Sequence, residues 1–210
     1  MTIAEGAKFA AALRALVCAA CLASAAAASA EPAAGGFDET LTLAGQQLHL
    51  NGAGLRSVFI VKWYVAALYV PERSHDPERL LAQNGPRRLA MRMLADKSAA
   101  RLTRAFRDGL RNNHDDAELH SMQPQIDALF ATFEDIGTAR QGDLLTFDLV
   151  DGTIRIAVNG TPRGRPIDGE RFYAALLRVF VGERPADPEL KRGLLGVDAA
   201  AGRDAGAAGS

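Results

Sequence analysis

Cysteine is scarce in this sequence and confined to its start. Of 210 residues only Cys18 and Cys21 carry a thiol, so nothing beyond them supplies a cysteine nucleophile, a disulfide or a thiolate metal ligand. Histidine is nearly as thin. His49, His75, His114 and His120 are scattered, with no HExxH pair and no two-ligand spacing on one helical face, so no metal site is expected. An excess of one charge is missing too: 24 Lys and Arg face 25 Asp and Glu, a formal net charge of −1. That balance removes the electrostatic reason to expect nucleic acid or an anionic membrane as partner, although a small basic patch fits the same average. No glycine-rich phosphate loop and no βαβα alternation is present, which excludes a nucleotide-binding sheet; no cofactor is expected.

The first thirty residues look separate from the fold. Lys8 and Arg14 form a weakly basic start, "ALVCAACLASAAAA" is modestly apolar, and Ala28–Ala30 before Glu31 has the small-x-small form of a signal-peptidase site. The stretch is short of the roughly 18–20 apolar residues that a membrane span needs, so the alanine-rich anchor is the weaker reading, as is a lipoprotein anchored at Cys21. A cleaved export signal over residues 1–30 is expected, with a periplasmic or secreted product that no longer crosses a membrane. Once processed, the chain would hold no cysteine, which suits an oxidising compartment.

What is present reads as strands, a helical middle, a hairpin and a helix. "LTLAGQQLHLNG" alternates about Gly45-Gln46 as a first hairpin, and Val58 to Val70 reads as one long strand. Asp76 caps a short helix with Pro77 in its first turn and Gly85 after it; Leu89, Met91 and Met93 alternate as a strand. Ser98 can cap a helix whose apolar stripe is Leu102, Ala105, Phe106, Gly109 and Leu110, with Arg101, Arg104, Arg107 and Arg111 on its solvated face. Asp115 and Glu118 begin another helix in capping-box style, which Pro124 must kink or split. Asp151-Gly152 centres a second hairpin, and a last helix runs from Asp168 to Val181. "PADPELKRGLLG" adds a turn or short helix, and residues 197–210 have nothing to bury. This is an α+β layout, helices packed on an antiparallel sheet, with one domain over residues 37–196.

One stretch goes further. In "LNGAGLRSVFIVKWYVAALYV" an apolar run carries Arg56 at its head, then Lys62 and Tyr64. With "LTRAFRDGLRNNH", "GDLLTFDLVDGTIRIAVNGTPRG" and "FYAALLRVFVGERPADPELKRGLLG" it resembles the chalcone isomerase-like family, over nearly the whole of residues 37–196. The resemblance implies an open-faced β-sandwich with a cleft between a large sheet and its helices. Its plant enzymes cyclise a chalcone, using an arginine; relatives without that activity hold a fatty-acid carboxylate with an arginine and a tyrosine.

Arg56, following "GAG", matches the family arginine, and Tyr64 stands where the enzymes have threonine. The enzymes' tyrosine and asparagine, seven apart on the helical segment, have no counterpart: Ser98 to Asn113 contains no tyrosine and has asparagine only at its end. Their late threonine or serine falls near Arg165 or Asp168. The resemblance therefore implies a non-catalytic protein in which Arg56 and Tyr64 bind a small amphipathic carboxylate; no residue is assigned to catalysis, and no protein partner is identified. Two other readings stand beside it: an isomerase acting on an unsaturated carbonyl compound, with Arg56 as electrophile and Tyr64 as proton donor, and a structural or partner-binding module whose cleft its own side chains fill. One geometric objection faces the clamp. Eight residues of straight strand span about 26 Å at about 3.3 Å each, so the pair meets only if the chain turns between them. Otherwise Arg56 meets an acid at the sheet edge while Tyr64 packs in the core. Lys62 is expected to snorkel to the surface.

Overall fold

The computed structural model describes residues 36–197. The expected export signal and the tail after Val197 lie outside the described residues. Seven strands form one curled antiparallel sheet in the order β1 (Thr40–Leu43), β2 (Gln46–Val58), β3 (Val61–Val70), β4 (Arg87–Met93), β7 (Leu144–Val150), β8 (Thr153–Val158) and β9 (Thr161–Asp168). β5 (Lys97–Ser98) and β6 (Thr138–Ala139) form a separate short ladder. Helices α2 (Ala99–Asn113), α4 (Gln123–Ile136) and α5 (Glu170–Val181) pack on one face of the sheet, and α1 (Pro77–Ala82), α3 (Asp116–Ser121) and α6 (Pro188–Leu194) complete the chain. The α+β layout expected from the order of patterns is the one observed.

Turn chemistry explains most of the ladder. Ala44-Gly45, Asp151-Gly152 and Asn159-Gly160 each place two residues at positive φ, the mirror-image turn that matches strand twist and suits glycine and short polar residues. The third of these makes β9, a strand absent from the sequence reading although Asn-Gly is a strong hairpin signal. Pro162 and Pro166 are tolerated in β9 because it is an edge strand.

The expected single strand from Val58 to Val70 is corrected. β2 ends at Val58, Phe59-Ile60 form a two-residue turn, and Val61 pairs back onto Val58. An apolar run without Gly, Pro or Asn gives no local sign of reversal, so the turn is imposed by pairing and not by composition. "GAG" lies within β2, where Asn51 is an extra bulged residue between the pairs Leu50–Tyr69 and Gly52–Leu68.

The helix starts follow their caps. Asp76 accepts from the Glu78 and Arg79 amides, and both halves of the Asp115–Glu118 capping box are made. Ser98 occupies the N-cap of α2 without a side-chain bond. Pro124 splits its helix instead of kinking it: α3 ends at Ser121 and α4 begins at Gln123, with the proline in the first turn, where no amide donor is needed. α5 starts at Glu170, later than expected, because Asp168 still pairs with Thr153 in the sheet.

The main core lies between sheet and helices. Phe106 is its hub, with ring centroids 5.1 Å from Phe133, 5.7 Å from Phe147 and 5.8 Å from Phe180. Arg87, fully buried, stacks 5.3 Å from the Tyr173 ring and pairs with Glu170 at 3.0 Å. A smaller cluster of Phe37, Leu48, Leu50, Ala67, Tyr69 and Ala90 forms beside it.

α6 lies on β2 at glycine-to-glycine range. A Cβ on Gly54 would meet the Leu190 carbonyl at 2.8 Å, and one on Gly193 would meet the Ala53 carbonyl at 2.5 Å. Buried Asn51 ties the two elements, donating to the Leu194 carbonyl at 2.7 Å and accepting from the Ser74 amide at 2.7 Å. In an isolated helix Gly193→Ala would be worth about 1 kcal/mol of added stability. Here it should lower stability by about 1–3 kcal/mol, because the methyl meets backbone that cannot rotate away. A urea midpoint that rose in this variant would contradict the close approach.

Candidate functional site

The reversal at Phe59-Ile60 answers the geometric objection. Arg56 of β2 and Tyr64 of β3 are direct cross-strand partners, so their side chains share a face at neighbouring Cα positions. The next pair is Ser57–Lys62, which leaves Trp63 as an extra residue in a bulge. A bulge re-aims the side chains beside it, and the Arg56 guanidinium carbon lies 5.5 Å from the Trp63 ring centre while also facing Tyr64.

Arg56 is half-buried. Its Nη1 donates to the Ala186 carbonyl at 2.5 Å, just before α6. No carboxylate pairs with it among the described residues. The acid expected as its alternative partner is therefore replaced by a backbone carbonyl and the Tyr64 phenol, which the guanidinium also hydrogen-bonds, and the remaining donors of its fork are left for other acceptors. Asp187, the next residue, spends its Oδ1 capping α6, accepting from the Glu189 and Leu190 amides at 2.9 and 3.1 Å.

Tyr64 is buried in the main core. Burial pushes its phenol well above the ordinary 10.0; Asp187 adds to the rise and the adjacent Arg56 opposes it. Such a phenol keeps its proton near neutrality and is a poor acid, which suits donating a hydrogen bond to an oxygen better than releasing the proton.

Two residues of this neighbourhood carried no signal in the sequence. Lys97 is buried, with Nζ 4.7 Å from the Trp63 ring centre and donating to the Asp96 carbonyl at 3.1 Å. Its pKa is lowered, first by burial and then by Arg101. The one tryptophan of the sequence is thus flanked by a guanidinium and an ammonium, an arrangement made by the chain path and not by spacing. Lys62 is exposed, as expected.

The space around Met91 and Met93 on the helix side is occupied. Met91 and Met93, each 1% exposed, fill the interior, whereas Met122, 4% exposed, lines a recess of about 220 Å³ with His114, Ala175 and Arg178. Of four recesses of about 340, 220, 470 and 270 Å³, none is lined by Arg56 or Tyr64. No group of three or more His, Cys, Asp or Glu suited to a metal occurs among the described residues. No helix among them is long and apolar enough to cross a membrane.

A family model described as chalcone isomerase-like matches residues 29–196. No curated protein matches the sequence. Among solved structures, a fatty-acid binding protein of Arabidopsis thaliana aligns with a TM-score of 0.55 at 13% identity, over 77% of this chain and 98% of that one. At that identity the likeness is one of fold.

The chain has three tyrosines, and burial raises all of them: Tyr64 and Tyr173 well above the ordinary value, Tyr69 to about 12. Above pH 10 the unfolded chain therefore loses phenolic protons that the folded chain keeps, and stability falls as pH rises from 10 toward the folded values. Absorbance at the tyrosinate band should stay flat as pH passes 10 and appear together with loss of circular dichroism. Early titration of one tyrosine in the folded protein would show that its phenol is open to water.

Proposed function

The chain belongs to the chalcone isomerase-like family, and from that premise we propose that it is a non-catalytic binding protein for a fatty acid or similar amphipathic carboxylate. The observation that carries this reading is the register that sets Arg56 opposite Tyr64 with no carboxylate among the described residues paired to the guanidinium. A guanidinium fork and a neutral phenol donor together suit one carboxylate: the fork supplies charge and direction, the phenol a third hydrogen bond. The fold shared with a plant fatty-acid binding protein supports the same class of ligand. Export follows from residues 1–30 and belongs to the same proposal.

Two features set the terms. The Asp187 charge beside the pair offsets part of the attraction for an anion. The acyl chain needs room that Met91 and Met93 now occupy, and unbranched thioether side chains are the core residues that repack at least cost. A second reading rests on that same filled interior: a partner-binding module whose contacts are made at the surface. The raised Tyr64 phenol weighs against the isomerase reading, which needs it as a proton donor.

Equilibrium binding of a long-chain fatty acid separates these readings. Arg56→Ala should weaken binding by roughly 1.5–3 kcal/mol, tenfold or more, and Tyr64→Phe by about 0.5–1.5 kcal/mol. Asp187→Asn keeps the helix cap and should tighten binding. Equal affinity in all three variants, or no binding by the parent, would end the carboxylate reading and leave the surface module.

A further inference from the structure

The tip of the β2–β3 hairpin departs from the turn chemistry used elsewhere in this molecule. The other three two-residue turns of the sheet end in glycine: Ala44-Gly45, Asp151-Gly152 and Asn159-Gly160. The fourth is Phe59-Ile60. Phe59 holds φ at 54°, a left-handed conformation that is uncommon for a bulky aromatic side chain. Neither side chain gains burial in return: Phe59 is 98% exposed and Ile60 97%. Val61 and Leu55 extend the exposed apolar surface down the hairpin. A strained turn carrying two large apolar residues into water is costly for folding alone, which points to a use outside the fold.

The surroundings are cationic. No Asp or Glu occurs between Glu39 and Glu72, and the hairpin's charged residues are Arg56 and Lys62. Trp63 stands at the neck, partly buried, with Lys97 over its ring and exposed Arg101 beyond. The nearby acids, Asp96, which accepts from the Gln141 amide through Oδ1, and Asp187, which caps α6, are two charges against those of Arg56, Lys62, Lys97 and Arg101. The whole-chain balance of −1 thus conceals a local excess of positive charge.

We propose that the Phe59-Ile60 tip inserts into the interface of a lipid bilayer carrying anionic headgroups, with Lys62 and Trp63 at headgroup level. Dimensions agree: Lys62 follows the tip by two residues, about 7 Å along a strand, and interfacial apolar groups penetrate about 5–10 Å. A bilayer is favoured over a protein because a two-residue knuckle buries far less than the roughly 1,200 Å² of a stable interface, whereas a membrane needs no matching shape. The indole belongs at such a boundary, and cations near the surface add attraction that salt screens. The inference stands apart from the carboxylate reading and holds if that reading fails.

Trp63 is the sequence's one tryptophan, so its fluorescence reports on this hairpin and not on residues 1–30. The full chain is mixed with phosphatidylcholine vesicles with and without phosphatidylglycerol, and with vesicles whose acyl chains are brominated. The variant Phe59→Asn, Ile60→Gly installs the turn found at residues 159–160, so it should fold at least as well as the parent. Expected are a blue shift and bromine quenching with phosphatidylglycerol, reduced by salt, and a loss of at least about tenfold in apparent affinity in the variant. Absence of quenching in the parent, or equal quenching in the variant, overturns the proposal. So does a parent dimer that the variant converts to monomer without any vesicle effect, which would assign the tip to a second copy of the chain.

Discussion

The pairing of β2 with β3 is the constraint on which the rest of this molecule depends. The two strands run side by side from His49–Val70 to Val58–Val61, with two slips in register. Each slip has a consequence that no local sequence preference would produce. The slip at Asn51 turns a buried amide toward α6 and the chain after β3, and the glycines beside it let that helix lie directly on backbone. The slip at Trp63 lets one guanidinium address an indole and a phenol together. Closing the hairpin without glycine leaves Phe59 and Ile60 in water.

The site and the tip are therefore two ends of one argument about charge and burial. Arg56 is tolerated at the edge of an apolar core because it stays half-exposed, donates to the Ala186 carbonyl and stacks near an aromatic ring. Tyr64 lies deeper, where burial outweighs the pull of Arg56 and holds its proton. Arg87 shows the other solution. Fully buried, it needs the Tyr173 ring and a carboxylate, and its role is confined to the interior. The difference between a guanidinium committed to the Glu170 carboxylate and one held by neutral partners, the Ala186 carbonyl, the Trp63 ring and the Tyr64 phenol, distinguishes a strut from a candidate binding group.

Fold class was readable before any coordinates because its signals are local. Helical stripes at Leu102–Leu110, the Asp115–Glu118 box, the Asp151-Gly152 turn and the capping aspartates act within four residues of themselves. Boundaries failed where two local signals competed or none was present. Pro124 admitted either a kink or a break, and the preceding short helix made the break possible. β9 carries a weak strand signal because Pro162 and Pro166 argue against a strand, a rule that relaxes at an edge.

The sequence by itself determined the helices, the Asp151-Gly152 hairpin, the α+β class and Arg56 and Tyr64 as the residues of interest, since each rests on periodicity, capping or a family motif. Only the tertiary structure decided that those two residues meet. A run of thirteen residues in which all but Lys62 are apolar or aromatic is equally good as one strand or as the end of a hairpin, and the choice is made by which partner strand the chain can reach. The same decision brought Lys97 to Trp63 across more than thirty positions and put Phe59 and Ile60 at the tip. Contacts between residues distant in sequence have no local code; they exist because the sheet's register brings them together.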